Sequence, residues 1–339
     1  MVKISFIVPF YNGNHYFEEC IDSIYNQDVP QSDFEVIVVD DCSPDAGSVK
    51  MLHDIGLQHE NFRIVNNDHN MRAGGSRNHG IRESKGKYLW FVDQDDQVEK
   101  QCLGHILEVM ETDQLDYVSF NYLYFSDKDT TTRVEEVTVP CEVMSGQEYA
   151  LNVLGGDIWG NRWSTSVWHQ VYRKAFLEEH SAYFNEFSFY EELGVRIPAL
   201  MYAKRMRVIP GAFYHYRLNE NSVIHTEVLV GGRPLFDQSL NAGNYILEFS
   251  QDLKPISEYF SNYFYDSAIW RINSFTKGVL RISPAEKRVF FKYVRLNAGM
   301  VDRLMPLLSH TNRLLVKYTW LSFLLYPFNL MFRRIRKKK

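Results

Sequence analysis

Tyr88-Leu-Trp-Phe-Val-Asp-Gln-Asp-Asp96 is a run of five apolar residues followed at once by three carboxylates. The apolar part, rich in aromatic and branched side chains, reads as a buried strand, and the acids as the turn that ends it. Asp93 and Asp95, one residue apart at a strand's end, can hold one hard divalent cation through oxygen. Mg²⁺ or Mn²⁺ would keep its other positions for water and phosphates. The same aspartates could instead cap a helix beginning near Val98, and both readings stand at this point.

Upstream the pattern repeats. Short β-rich runs at 4–8, 35–39, 63–65, 88–92 and 117–120 alternate with stretches of helical length and spacing at 15–27, 48–59, 73–84 and 98–112. Strand–helix alternation with short links predicts an α/β fold, a doubly wound, mostly parallel sheet flanked by helices. In such sheets ligands bind at the carboxyl ends of the strands. The residues there are Pro9-Phe-Tyr-Asn12, Asp40-Asp-Cys-Ser43 and Asp93-Gln-Asp-Asp96. Acids converging on one edge repel one another, which implies a cation or a cationic partner. Asp40 and Asp41 can accept hydrogen bonds from a base N–H or ribose hydroxyls, whereas Asp45 reads as a helix cap. Asn70-Met-Arg-Ala-Gly-Gly-Ser-Arg-Asn-His-Gly80 is a glycine-rich entry to a helix, where the helix N-terminus and Arg77 suit a phosphate oxygen. It is neither Gly-x-Gly-x-x-Gly nor a Walker loop, which weakens dinucleotide and NTPase readings.

The chain has 339 residues, 45% of them apolar and 23% charged, enough for a sizeable core and, by length, two domains or one large domain with an appendage. Net charge is −5, which argues against a nucleic-acid partner. Six positive charges lie within Arg333–Lys339; taking six from −5 leaves −11 on residues 1–332. Cys20, Cys42, Cys102 and Cys141 are dispersed with no Cys-x-x-Cys pair, which disfavours a zinc module or disulfide scaffold and fits a reducing compartment. The opening Met-Val-Lys-Ile-Ser-Phe-Ile-Val turns polar without a small-residue cleavage site, so no secretion signal is read. Ser145-Gly-Gln-Glu148 is a capping-box signature. A Gly- and Trp-rich loop follows at 155–163, then a helix expected through Lys174, and helical spacing over 233–310. Tyr318 to Phe332 carries no charge but is broken by Pro327 and is shorter than the roughly 20 residues a spanning helix needs. With the basic run after it, this segment reads as an interfacial anchor on an anionic leaflet, or as a docked helix with a solvated basic end.

Together these pieces resemble the family 2 glycosyltransferases. The matching elements are Phe6-Ile-Val-Pro-Phe-Tyr-Asn12, Val36-Ile-Val-Val-Asp-Asp-Cys-Ser43, and Asn70 to Asn78 against Asn-x-Gly-x-x-x-x-Arg-Asn, with Arg72 in place of Gly. Ser84 to Asp96 is similar to the segment leading into that family's Asp-x-Asp motif. Downstream, Val167-Trp-His-Gln-Val-Tyr-Arg-Lys-Ala-Phe176 is similar to its Trp-x-x-x-Tyr-Arg acceptor-side helix, Phe189-Tyr-Glu-Glu192 to its Glu-Asp element, and Tyr214-His-Tyr-Arg217 to its closing loop.

The resemblance implies a GT-A fold over residues 1–230, then a helical region, 231–317, and an aromatic, basic tail, 318–339. It implies an inverting transfer from a nucleotide-diphosphate sugar, most often a uridine one, to a glycan or lipid-linked acceptor in surface-polysaccharide assembly. The implied cofactor is Mn²⁺ or Mg²⁺ on Asp93 and Asp95. Donor contacts fall on Pro9, Tyr11, Asp40, Asp41, Arg77, Asp93 and Gln94. The base is Glu192 or Glu191. His215 is either a late contact to metal or diphosphate or a packed imidazole. Trp163 and Trp168, with Trp159, either stack on an acceptor sugar or pack. The expected location is cytoplasmic, on the inner face of the cell membrane, held peripherally through the tail; the helical region serves acceptor binding, membrane contact or self-association into a homo-oligomer, and the three stay open at this point. A sugar-phosphate nucleotidyltransferase would want a basic glycine-rich loop where Pro9 to Gly13 stands. A non-catalytic nucleotide-sugar or glycan-binding protein of this fold would not need Asp93, Asp95 and Glu192.

Overall fold

The computed structural model describes residues 1–13, 15–127, 133–135, 141–154, 166–186, 190–218, 229–230 and 233–234. The chain divides into two compact units, Met1–Glu227 and Val228–Lys339. In the second, Leu229–Val230 and Arg233–Pro234 pair antiparallel. The expectations for the 155–163 loop, for the helices over 233–310 and for the 318–339 tail fall outside the described residues.

The first unit is built on a nine-stranded sheet. Its parallel part is built around β1 (Ile4–Phe10), flanked by β2 (Phe34–Asp40) and β4 (Tyr88–Phe91), with β3 (Phe62–Asn66) parallel to β2 at the edge. Every residue of β2 is buried, which is why these strands read as continuous apolar runs rather than alternating ones. Helix α1 (His15–Tyr25) presents Phe17, Cys20, Ile21 and Ile24 to a core cluster that includes Phe6, Val8 and Trp90. Phe6 stacks on Trp90 with ring centres 5.4 Å apart. Helix α2 (Ala46–Gly56) starts on the Asp45 carboxylate, which accepts from Ser48 N at 2.7 Å, as the sequence predicts. Helix α3 (Arg72–Glu83) lies so close to the sheet that a Cβ on Gly80 would come 2.4 Å from Ile7 Cγ2.

Beyond β4 the sheet changes character. The segment expected to run helical through Lys174 is instead β8 (Gln170–Arg173), antiparallel to both β4 and β6 (Tyr117–Phe125); α6 (Lys174–Glu179) begins only after it. Val171 and Tyr172 favour a pleated, buried surface, and the gap between two strands decides in favour of pairing. Likewise Gln97–Val98 is a short strand, β5, because it pairs with β9 (Met206–Arg217); α4 (Leu103–Thr112) starts five residues later than the sequence suggested. β9 runs parallel to β6, whose other edge carries the short β7 (Arg133–Glu135). Helix α5 (Gly146–Leu154) opens with the expected capping box: Ser145 N donates to Glu148 Oε2 at 2.7 Å, and Glu148 N to Ser145 Oγ at 3.1 Å. Helix α7 (Leu193–Tyr202) carries Glu192 at its N-cap.

Candidate active site

Parallel pairing brings the carboxyl ends of β1, β2, β3 and β4 to one edge. Val92 N donates to Ile7 O, which sets the Asp93–Asp96 turn beside the end of β1. The Gln94 side chain ties the two ends together: Tyr11 N donates to its Oε1 at 3.0 Å, and its Nε2 donates to Tyr11 O at 3.2 Å. Asp96 is the buried anchor of the turn, accepting from Tyr214 OH at 2.7 Å and from Arg217 N at 2.8 Å. Burial, and then the charges of Asp95 and Asp93, push its carboxyl well above the usual range.

Asp93 and Asp95 remain partly exposed. Burial, followed by the charge on Asp93, pushes Asp95 up to about 6. Two hard carboxylates this close, one of them raised by the charge of the other, are a donor set that a divalent cation relieves, so the residues fit Mg²⁺ or Mn²⁺ with phosphates and water completing the shell. Among the described residues no cluster of three or more His, Cys, Asp or Glu ligands forms.

On the other side of the turn stands the acid pair before α7. Arg77, buried on α3, reaches both: Nη2 donates to Asp93 Oδ1 at 2.6 Å and Nη1 to Glu191 Oε1 at 3.1 Å. Burial works against this charge, but Asp93, Glu191 and Glu192 outweigh it and hold the guanidinium protonated. A Cβ on Gly74 would meet Glu191 Cβ at 2.9 Å, so the glycine lets the acid pair approach α3. Asn78 clamps the chain just before it, donating to Phe184 O at 2.9 Å and accepting from Phe184 N at 2.8 Å. Glu192 Oε1 accepts from Val167 N at 3.1 Å. Burial, then the charge on Glu191, pushes Glu192 up to about 8, the range a proton acceptor needs near neutral pH.

The sequence model described as Glycosyl transferase family 2 matches residues 5–189. The chain belongs to that family. It is 31% identical over 240 residues to the uncharacterized glycosyltransferase EpsJ of Bacillus subtilis, covering 70% of this chain and 66% of that one. It is 24% identical over 327 residues to the poly(ribitol-phosphate) beta-N-acetylglucosaminyltransferase TarS of Staphylococcus aureus, covering 91% and 53%. The chain thus spans two thirds or less of these relatives' length. Among solved structures, S. aureus TarS 1–349 in complex with UDP-GlcNAc superposes with a TM-score of 0.62 at 21% identity, over 95% of this chain and 88% of that chain. That likeness establishes the GT-A fold.

In this family 2 glycosyltransferase, Pro9, Tyr11, Asp40 and Asp41, which the sequence resemblance assigns to the donor side, lie at the carboxyl ends of β1 and β2. Pro9 is half-buried in β1 and Tyr11 is exposed just beyond it. Asp40 Oδ1 accepts from Ser43 N at 3.1 Å and Ser43 Oγ at 2.6 Å. Asp41 Oδ1 accepts from Asn67 Nδ2 at 2.8 Å and Met71 N at 2.6 Å, fastening β2 to the start of α3. Three non-glycine residues on this rim, Asn12, Cys42 and Arg72, have φ of 46°, 60° and 59°. Such strain, of order 1–3 kcal/mol each, concentrates where function holds the backbone.

His215 Nε2 lies 3.1 Å from Glu99 Oε2, and burial lowers its proton affinity. Trp168 is buried, stacked on Tyr214 at 4.5 Å and edge-on to Tyr122 at 4.6 Å. Trp159 and Trp163 lie outside the described residues. Within Tyr214 to Arg217 the sequence alone points only to His215 as a site residue. In the fold, Tyr214 also accepts from Asp93 N at 3.1 Å, and Arg217 Nε donates to Asp95 O at 2.9 Å while its other nitrogens pair with Glu19 and Asp127. These two side chains shape the acidic turn. The signal was their position in the closing motif; nothing local in the sequence aims them at residues some 120 positions earlier.

Proposed function

We propose that this chain is a metal-dependent inverting glycosyltransferase that moves a sugar from a nucleotide-diphosphate donor, a uridine one, to a glycan or lipid-linked acceptor in surface-polysaccharide assembly. The observation that carries the reading is the single Arg77 guanidinium touching both Asp93 and Glu191, which sets a diphosphate-and-cation locus beside a raised-pKa acid pair. The TarS relative, solved with UDP-GlcNAc and with UDP, supports the donor class. A divalent cation on Asp93 and Asp95, when bound, would supply Lewis-acid stabilisation of the departing diphosphate.

The chain's own residues do the rest. Tyr11, Asp40 and Asp41 bind the nucleoside on the β1–β2 rim, and Arg77 adds positive charge beneath the diphosphate. The Glu192 carboxylate, ionised, takes the proton of an acceptor hydroxyl as that oxygen bonds to the anomeric carbon. The bond from that carbon to the diphosphate oxygen breaks on the opposite face, the electron pair leaving with the nucleotide diphosphate, so the configuration inverts. Glu191, tied to Arg77, is the less available of the pair. The 318–339 segment places the enzyme on an anionic inner leaflet, near a lipid-linked acceptor.

The test is a nucleotide-sugar panel screened with Mn²⁺ by thermal shift, then an assay of nucleotide diphosphate release on the donor that protects. Asp95→Asn is expected to abolish release while the unfolding temperature stays within a few degrees. Persistent turnover in that variant would sink the metal assignment. Protection without release would mean a binding protein.

A further inference from the structure

Arg77 is one cation serving two anions that belong to different halves of the site. Its side chain is almost wholly buried, 4% exposed, with its guanidinium carbon 5.2 Å from the centre of the Phe184 ring. Nη2 holds Asp93 and Nη1 holds Glu191, while Nε, also buried, has no hydrogen-bond partner among the described residues. The guanidinium cannot leave for solvent, so it can only redistribute between its two carboxylates.

We propose that Arg77 is a positioning residue that couples occupancy of the cation locus to the acid pair before α7. The inference rests on the assignment of Asp93 and Asp95 as cation ligands. A dication on Asp93 competes for the same carboxylate electrons and repels the guanidinium, so Arg77 shifts its hold toward Glu191. Neutral Glu191, conversely, lets Arg77 settle fully on Asp93, where it opposes the cation. Coupling free energies are reciprocal, so both statements describe one quantity. The consequence is order: Glu191 is drawn aside onto Arg77 when the donor-side charge is in place, which leaves Glu192 as the acid nearest an incoming hydroxyl. Lysine would not substitute, because a point charge cannot span two carboxylates as a planar fork does.

The experiment is Mn²⁺ titration of the full chain, read by the electron paramagnetic resonance signal of free Mn²⁺, without substrate or turnover. Glu191→Gln is expected to weaken Mn²⁺ binding about tenfold, within the range typical of coupled sites. Arg77→Met is expected to tighten it. In the Arg77→Met background, Glu191→Gln should then change affinity by less than about threefold, the part of the coupling carried through space alone. Equal effects of Glu191→Gln in both backgrounds would overturn the proposal. If Arg77→Met fails to fold by near-ultraviolet circular dichroism, Arg77→Lys takes its place with the same expected loss of coupling. Asp95→Asn separates the two levels of the argument: unchanged Mn²⁺ affinity there removes the cation locus itself, whereas lost affinity with additive Arg77 and Glu191 effects removes only the coupling.

Discussion

Glu192 has an unusual charge balance for a surface-proximal acid: Burial and the neighbouring Glu191 raise its proton affinity, and Arg77 only partly offsets them. Since its folded pKa, about 8, exceeds the roughly 4.3 of an unfolded Glu, the folded chain binds the proton more tightly across that window. Its contribution to stability is therefore full below about 4.3 and declines as pH rises through about 8, while the ionised base that catalysis needs appears over the same upper range. We expect wild-type kcat/KM to climb with pH and level off near 8. Glu192→Gln should cut kcat by roughly 10²–10⁴, and should flatten the fall in unfolding temperature between pH 5 and 8.5. A pH–rate profile beside thermal unfolding at both pH values checks this; an unchanged kcat would transfer the base role elsewhere. The sequence could name this residue only through resemblance. Two adjacent acids ahead of a helix are ordinary in solvent, and it is packing against Val167, Arg77 and Glu191 that makes these two unusual.

Among the elements, α3 meets the turn before α7 where Gly74 faces Glu191. Adding a Cβ there forces atoms from 2.9 Å to ordinary contact, which costs about 1–3 kcal/mol of overpacking. Gly74→Ala should thus lower stability by that amount in urea unfolding and reduce turnover at least tenfold, because the strain falls on the acid pair. The glycine-rich run is legible as the entry to a helix; that a carboxylate-bearing turn packs against Gly74 is not, since residues 74 and 191 meet only in three dimensions. The α5 start shows the opposite case. Its capping box is local, spans four residues and is legible in the sequence, and Ser145→Ala should cost about 1 kcal/mol, measured by the shift in urea midpoint. β8 fell between these extremes. Its residues carry β propensity, but the choice of strand over helix was made by β4 and β6, which offer unpaired backbone on both sides.

At the scale of the whole chain, charge is distributed unevenly: the final seven residues hold six cations and follow an aromatic, uncharged stretch. No helix among the described residues is long and apolar enough to cross a membrane. At about 1 kcal/mol per basic residue near an anionic surface, the tail should dominate vesicle binding. Deleting residues 318–339 is expected to abolish co-sedimentation with anionic vesicles at low salt while leaving diphosphate release intact; undiminished sedimentation would refute a membrane role for the tail. The alternation of strands and helices, the caps of α2 and α5, and the acids that end β2 and β4 were determined by the sequence alone, because each depends on neighbours within a few residues or on apolar periodicity. Tertiary structure alone decided the antiparallel half of the sheet, the hold of Tyr214 and Arg217 on the acidic turn, and the bridge from Arg77 to Asp93 and Glu191. The side-chain contacts of Arg77, Tyr214 and Arg217 join residues 16 to about 120 positions apart, and only the closing of the sheet and its helices brings them within hydrogen-bond range.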